Sequence, residues 1–323
     1  MKKRLLSALL SLCMVLTMVP MAFAAEDESN GNSDISAQAA TELPEVVNGV
    51  ITLQQDVTLN NTLTVEDNDD ITLNLNGRTL TLNGLEAVQD VAYDEADISN
   101  SVAGIINKGT LTVQNGTLSS TANACMIINS GNLSLEADVD LKKSGAGNAI
   151  DNLGGTVTSA ADITLTNTDY TAFVTYGGVL TVNGGNIQAD YGISAFNRSY
   201  NNEGAGAQVK INGGSIKTDY FALSTNNVLS GGNDPCDVTI NGGTLTSTGA
   251  TAIYWPSAGS LTIGSTDTND NTVIISTEAG SAIEVCSGTL VVNSGTLSGS
   301  DSSNSLNQSP TWATQYRENS GCA

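Results

Sequence analysis

An apolar residue opening a short strand-like piece recurs as Leu111, Leu133, Val157, Leu180, Val209, Val238, Leu261 and Leu290. The intervals are 22, 24, 23, 29, 29, 23 and 29 residues. Spacing this regular marks a stacked-repeat architecture, in which each repeat buries its apolar face only against its neighbours. Three segments show the unit most openly: Leu180-Thr-Val-Asn-Gly-Gly185, Val209-Lys-Ile-Asn-Gly-Gly214 and Val238-Thr-Ile-Asn-Gly-Gly243.

Each interval divides into three short strands. The first is of the Leu180-Thr181-Val182 type, with its outer residues on one face. The second follows the Asn-Gly turn and is marked by Ile187, Ile216, Leu245 or Leu297. The third begins at a small residue, as in Ala149-Ile150, Ala172-Phe173, Ala252-Ile253 and Ala282-Ile283. The longer intervals carry polar surplus at 197–207, 225–236 and 265–271, which reads as protruding loops. Alternation sends Leu, Ile and Val inward and Thr, Asn and Ser outward. Asn-Gly and Gly-Gly supply the bends.

The pattern predicts an all-β, single-stranded parallel β-helix of roughly nine or ten coils over residues 46–300. A β-sandwich gives no reason for the regular intervals. A propeller blade needs about 40 residues or more, and leucine-rich repeats need a longer Leu/Asn consensus. Periodicity leaves the handedness open.

The early stretch "ITLQQDVTLNNTLTV…ITLNLNGRTLTL", together with the later Asn-Gly-Gly coils, resembles bacterial secreted and cell-surface β-helix proteins of the pectin-lyase-like superfamily. The likeness covers roughly residues 46–300 and implies a right-handed coil. It speaks to architecture more than to activity, since that superfamily holds adhesins, carbohydrate binders and polysaccharide lyases.

The ends read differently. Met1-Lys2-Lys3-Arg4, the apolar run Leu5–Met21 and Ala22-Phe23-Ala24 form a signal peptide over residues 1–24. The run is short for a membrane span, and Glu26, Asp27 and Glu28 follow at once. Leu12 before Cys13 argues against a lipoprotein cut. Residues 25–45 read as a flexible acidic segment, and 301–323 as an irregular tail or a truncated end. Glu86–Asp97 carries five acidic residues and reads as an exposed acidic loop. The expected localisation is secreted, extracellular or cell-surface associated, with no transmembrane helix after cleavage.

Composition narrows the chemistry. The chain has 33 Asp+Glu against 11 Lys+Arg, and no His. Losing Lys2, Lys3 and Arg4 with the leader takes the formal net charge from -22 to about -25. Such a chain has no basic footprint for nucleic acid. Without His it has no His-based triad and no imidazole metal site. Four Cys follow the leader, Cys125, Cys236, Cys286 and Cys322, at spacings that match no zinc motif. They read as a disulfide or as buried free thiols. Cys125 is expected inward, at the position of Ile150 and Phe173.

The resemblance brings in a lyase, which would use a Ca²⁺-binding carboxylate cluster and an Arg or Lys base. Arg78, Arg198 and Arg317 are the only arginines beyond the leader, and Arg198 is the best placed, although it also reads as a solvated loop residue. Paired carboxylates alone can hydrolyse glycosides. The array Asp169-Tyr170, Asp190-Tyr191 and Asp219-Tyr220, at spacings of 21 and 29, is expected to stack on one outer face. Tyr254-Trp255 lies one coil on and is expected to extend it. In the bland reading, Asp ends a strand and Tyr covers a corner. In the ligand-binding reading, the Tyr rings are sugar platforms and the Asp side chains accept hydroxyls or hold Ca²⁺. The favoured expectation is a non-enzymatic recognition protein for an extracellular glycan or surface protein. A carbohydrate-active enzyme and a plain structural spacer are the alternatives.

Overall fold

The computed structural model describes residues 40–83, 86–87, 102–196, 206–226, 235–266 and 273–300. The readings placed on residues 1–39, 88–97, 197–205 with Arg198, 227–234, 267–271 and 301–323 lie outside these. The described residues contain strands and no helix, and so no helix long and apolar enough to cross a membrane.

The strands pair in parallel, apart from Glu86–Ala87, which runs antiparallel to Val102–Asn107. They form three ladders, and pairing partners within a ladder are one coil apart in sequence. The first ladder carries the opening residues. Ile71, Leu111, Leu133, Val157, Leu180, Val209, Val238, Leu261 and Leu290 pair successively in register. The second stacks Val57, Leu80, Leu118, Leu141, Leu165, Ile187, Ile216, Leu245, Ile275 and Leu297. The third stacks Leu63, Ile105, Ile127, Ile150, Phe173, Ile193, Leu223, Ile253 and Ile283. The described residues hold ten rungs in each of the first two ladders and nine in the third. The result is a solenoid-like arrangement.

Most of these side chains are buried in one continuous core. Each fully buried Leu, Ile or Val contributes about 1.5–3 kcal/mol through the water it no longer meets. Lengthwise stacking makes every coil depend on its neighbours for that burial.

The Asn-Gly-Gly turns now have a physical account. Asn212 Nδ2 donates to Asn183 Oδ1 and Asn241 Nδ2 to Asn212 Oδ1, each at 2.8 Å. The second glycine takes positive φ at Gly185 (95°), Gly214 (87°) and Gly243 (102°). A Cβ on Gly214 would stand 2.6 Å from the carbonyl carbon of Gly184. Conformation and close approach both exclude a side chain there.

Not every asparagine faces outward, because alternation puts a residue two places after a core isoleucine on the inward face. Asn107, Asn129 and Asn152 are buried in the third ladder, two residues after the core isoleucine. Asn107 Nδ2 donates to Asn129 Oδ1 at 2.7 Å and Asn129 Nδ2 to Asn152 Oδ1 at 2.8 Å. Asn152 Nδ2 reaches Thr175 Oγ1 at 3.1 Å. The same amides also donate to the carbonyls of Asn132, Gly131 and Gly155, in the turns that lead to the first ladder. Inward placement is tolerated because each amide nitrogen finds an acceptor one rung on, while Asn107 Oδ1, at the first of these rungs, is buried without a donor.

Cys125 is also placed differently from expectation. Ile127, not Cys125, pairs with Ile150. Cys125 packs with Ala103, Ile106, Ile128 and Leu153 in a second, smaller cluster. Its thiol donates to Asp151 Oδ2 at 3.0 Å. Cys125 and Cys236 are buried, and Cys286 is half-buried. Cys236 lies in the main core rather than on a loop.

Candidate functional site

The corner between the second and third ladders carries the Asp-Tyr pairs. It is shaped by an inward column of polar residues that ends the second ladder: Ser120, Lys143, Asn167, Thr218, Ser247 and Thr277, with Ala189 among them. All are buried. Each polar member holds backbone groups of the turn that follows it. Thr218 Oγ1 donates to the carbonyl of Tyr220 at 2.7 Å, and Asn167 Nδ2 to that of Thr171 at 2.9 Å. Thus the buried column sets the path of the turns that carry Asp169-Tyr170 and Asp219-Tyr220.

Lys143 is the unusual member. It is 2% exposed, yet no carboxylate lies within ion-pair distance among the described residues. Its Nζ donates instead to the carbonyls of Ala122 (3.0 Å), Ser144 (2.7 Å), Gly145 (2.9 Å) and Ala146 (3.2 Å). Burial lowers the ammonium from its ordinary value, and the neighbouring Cys125 and Asp169 work against that. The turn it holds presents the Gly145 N–H, which donates to Asp169 Oδ2 at 2.9 Å.

Asp190 and Asp219 follow the paired residues Ala189 and Thr218, so their carboxylates stand on neighbouring rungs. Rungs repeat at about 4.8 Å. Asp169 belongs to a bulge: Asn167 pairs with Ala189 and Thr171 with Tyr191, leaving Thr168, Asp169 and Tyr170 opposite Asp190 alone. Burial raises the Asp190 carboxyl above its ordinary value, and the like charges of Asp219 and Asp169 add to that. Thr248 Oγ1 donates to Asp219 Oδ1 at 3.1 Å.

The rings are brought together in part. Tyr191 stacks on Tyr220 with centroids 4.9 Å apart and planes 10° from parallel. Tyr191 also meets Phe221 in a tilted contact at 6.3 Å, and Phe221 stacks on Tyr254 at 5.2 Å. Four rings from three coils therefore form one strip. Burial raises the Tyr191 hydroxyl, with Tyr220 and Asp190 adding to it. Tyr220 remains 47% exposed. Tyr170 is 44% exposed and, among the described residues, joins no ring stack.

Trp255 does not extend this surface. It is fully buried in the core and pairs with Val285, while Tyr254 pairs with the exposed Glu284. Alternation explains the correction, since adjacent residues of one strand face opposite ways. Phe221 is the strip residue that sequence reasoning passed over. Its position beside Tyr220, ahead of the core residue Leu223, was the available signal. Among the described residues, no three acidic or Cys side chains converge to hold a metal ion.

Comparison with protein-family models, with curated proteins and with solved structures finds no match for this chain. The geometry of the strip therefore carries the functional argument. Tyr191 gives one face to Tyr220, so the rings do not form a row of open platforms. What the strip offers is the remaining surface of Tyr220, ring edges with phenolic hydroxyls, and carboxylate acceptors alongside.

Proposed function

We propose that this chain is an extracellular recognition scaffold, a pectin-lyase-like right-handed β-helix that binds a glycan without turning it over. The observation carrying this reading is the strip Tyr220–Tyr191–Phe221–Tyr254 with Asp190 and Asp219 beside it. Aromatic rings supply apolar area at low entropic cost, and their hydroxyls supply orientation. Carboxylates accept the hydroxyl hydrogens of a sugar. The leader-like N-terminus supports an exported setting, and the solenoid-like core supports a rigid display of residues from several coils.

The test is a glycan array probed with the folded mature chain, with and without Ca²⁺. Binding that falls at least about tenfold in Tyr191→Ala supports the reading. No binding by a folded sample in either condition overturns it. A hydrolytic reading draws on the same Asp190–Asp219 pair, because a carboxyl held up by burial and by a neighbouring carboxylate suits acid catalysis. Release of reducing ends that stops in both Asp190→Asn and Asp219→Asn would favour that reading instead.

A further inference from the structure

The charge pattern along the strip names a class of glycan; the step rests on the glycan reading above. Among the described residues, two carboxylates are paired with lysines. Asp140 pairs with Lys142 at 2.6 Å and Glu66 with Lys108 at 3.7 Å. Asp169, Asp190 and Asp219 have no such partner among the described residues. Lys217, two residues before Asp219, is exposed but not within ion-pair distance of it. The Lys143 ammonium near Asp169 is buried and given over to four carbonyls. The strip is thus a row of anionic groups against electron-rich rings, with no cationic side chain in ion-pair distance among the described residues. An acidic sugar is repelled there. A neutral sugar leaves the like charges facing each other. A cation is drawn both by the carboxylates and by ring π-surface.

We infer that the strip takes a polysaccharide whose sugars carry free amino groups, with a protonated amine set between Asp190 and Asp219 and the pyranose ring against Tyr220 and Tyr191. Successive carboxylates lie along the coil axis, so a sugar chain laid along the strip can bring an amine to the Asp190–Asp219 pair. The raised Asp190 carboxyl agrees with this, because an ammonium would relieve the repulsion from Asp219 and Asp169 that helps hold it up.

The test is titration calorimetry of the folded chain at low salt, slightly below neutral pH. Glucosamine tetramer, its fully N-acetylated counterpart and oligolysine are the probes. The expected result is that glucosamine tetramer binds and N-acetylation weakens it at least about tenfold, the scale of a charge-assisted contact. Asp190→Asn and Asp219→Asn should each remove most of that preference, and added salt should weaken binding. Tyr191→Ala should weaken binding as well. Tyr220→Ala, at a more exposed ring, serves if Tyr191→Ala does not fold. Equal binding of both tetramers, lost in Tyr191→Ala, overturns the amine assignment and leaves the glycan reading standing. Binding of other neutral glycans but of neither tetramer does the same. Oligolysine binding as tight as that of glucosamine and untouched by Tyr191→Ala overturns it in favour of plain charge attraction. No glycan binding of any kind overturns both.

Discussion

Asn129 Nδ2 lies 2.8 Å from Asn152 Oδ1, one rung on and inside the core. The same nitrogen reaches the carbonyls of Gly131 at 3.1 Å and Thr156 at 3.3 Å. The amide therefore joins two coils and closes its own turn. Asn129→Ala removes the acceptor for Asn107 and leaves Asn152 Oδ1 without its donor. The expected loss is about 2–3 kcal/mol. Asn241→Ala, in the exposed ladder, should cost under about 1 kcal/mol. Urea unfolding of both variants checks the contrast, and equal midpoints would contradict it.

The turn glycines should separate in the same way. Gly214→Ala forces a side chain into positive φ and against the Gly184 backbone. It should destabilise by more than about 1 kcal/mol. At Gly213 the nearest atom to an added Cβ is Asn183 O, at 3.3 Å, and the φ is ordinary. Gly213→Ala should therefore be the milder change. Thermal unfolding of the two variants side by side is the measurement.

The Cys125–Asp151 pair predicts a pH dependence of stability. Burial raises the Asp151 carboxyl, although hydrogen bonds from Cys125 and Asn148 oppose the shift. The folded state therefore holds this proton more tightly than the unfolded chain. That contribution is complete below the unfolded carboxyl value and is lost as pH rises through the raised folded value. Asp151→Asn should flatten this part of the stability curve, measured by urea unfolding from acidic to neutral pH. Burial, with the Asp151 charge next, also raises the Cys125 thiol well above its ordinary value. Alkylation of Cys125 should accordingly track unfolding, not pH, through the neutral range. Fast labelling of the folded chain would argue against the buried pair.

Thr218 is a positioning residue for the strip. Its hydroxyl donates to the Tyr220 carbonyl at 2.7 Å and shares a longer bond with the carbonyl of Thr246. Thr218→Val keeps the shape and removes the donor. It should cost about 1 kcal/mol and weaken glycan binding several-fold. Thr277→Val, at the equivalent position two rungs on, should cost similar stability and leave binding unchanged. Equal binding by wild type and Thr218→Val would reduce Thr218 to a structural role.

The columns of the fold were legible because inward residues must recur once per coil. Leu111 through Leu290 pair in the order their spacing predicted. Ile187, Ile216, Leu245 and Leu297 share the second ladder for the same reason. Polarity was a weaker guide. Asn129 and Lys143 lie inward because partners wait for them there, and composition does not reveal partners. Trp255 lies inward beside the strip residue Tyr254, because neighbouring strand residues face apart. The Asp-Tyr pairs were legible as a recurrence. The bulge that sets Tyr170 apart from the ring stack was not, since it depends on how Thr168, Asp169 and Tyr170 pass one residue of the next coil.

Register gives this chain a natural unit of change. Every ladder aligns each strand with the same part of the neighbouring coil, whether the interval is 22 or 29 residues. Duplicating or deleting a whole coil keeps every column in line, whereas gain of one residue within a strand turns its inward side chains out. Genetic recombination can therefore lengthen or shorten such a protein in quantised steps. Because the ring strip draws on only three successive coils, copies added elsewhere would act as a spacer of adjustable reach and carry the strip unaltered to a new distance from its base.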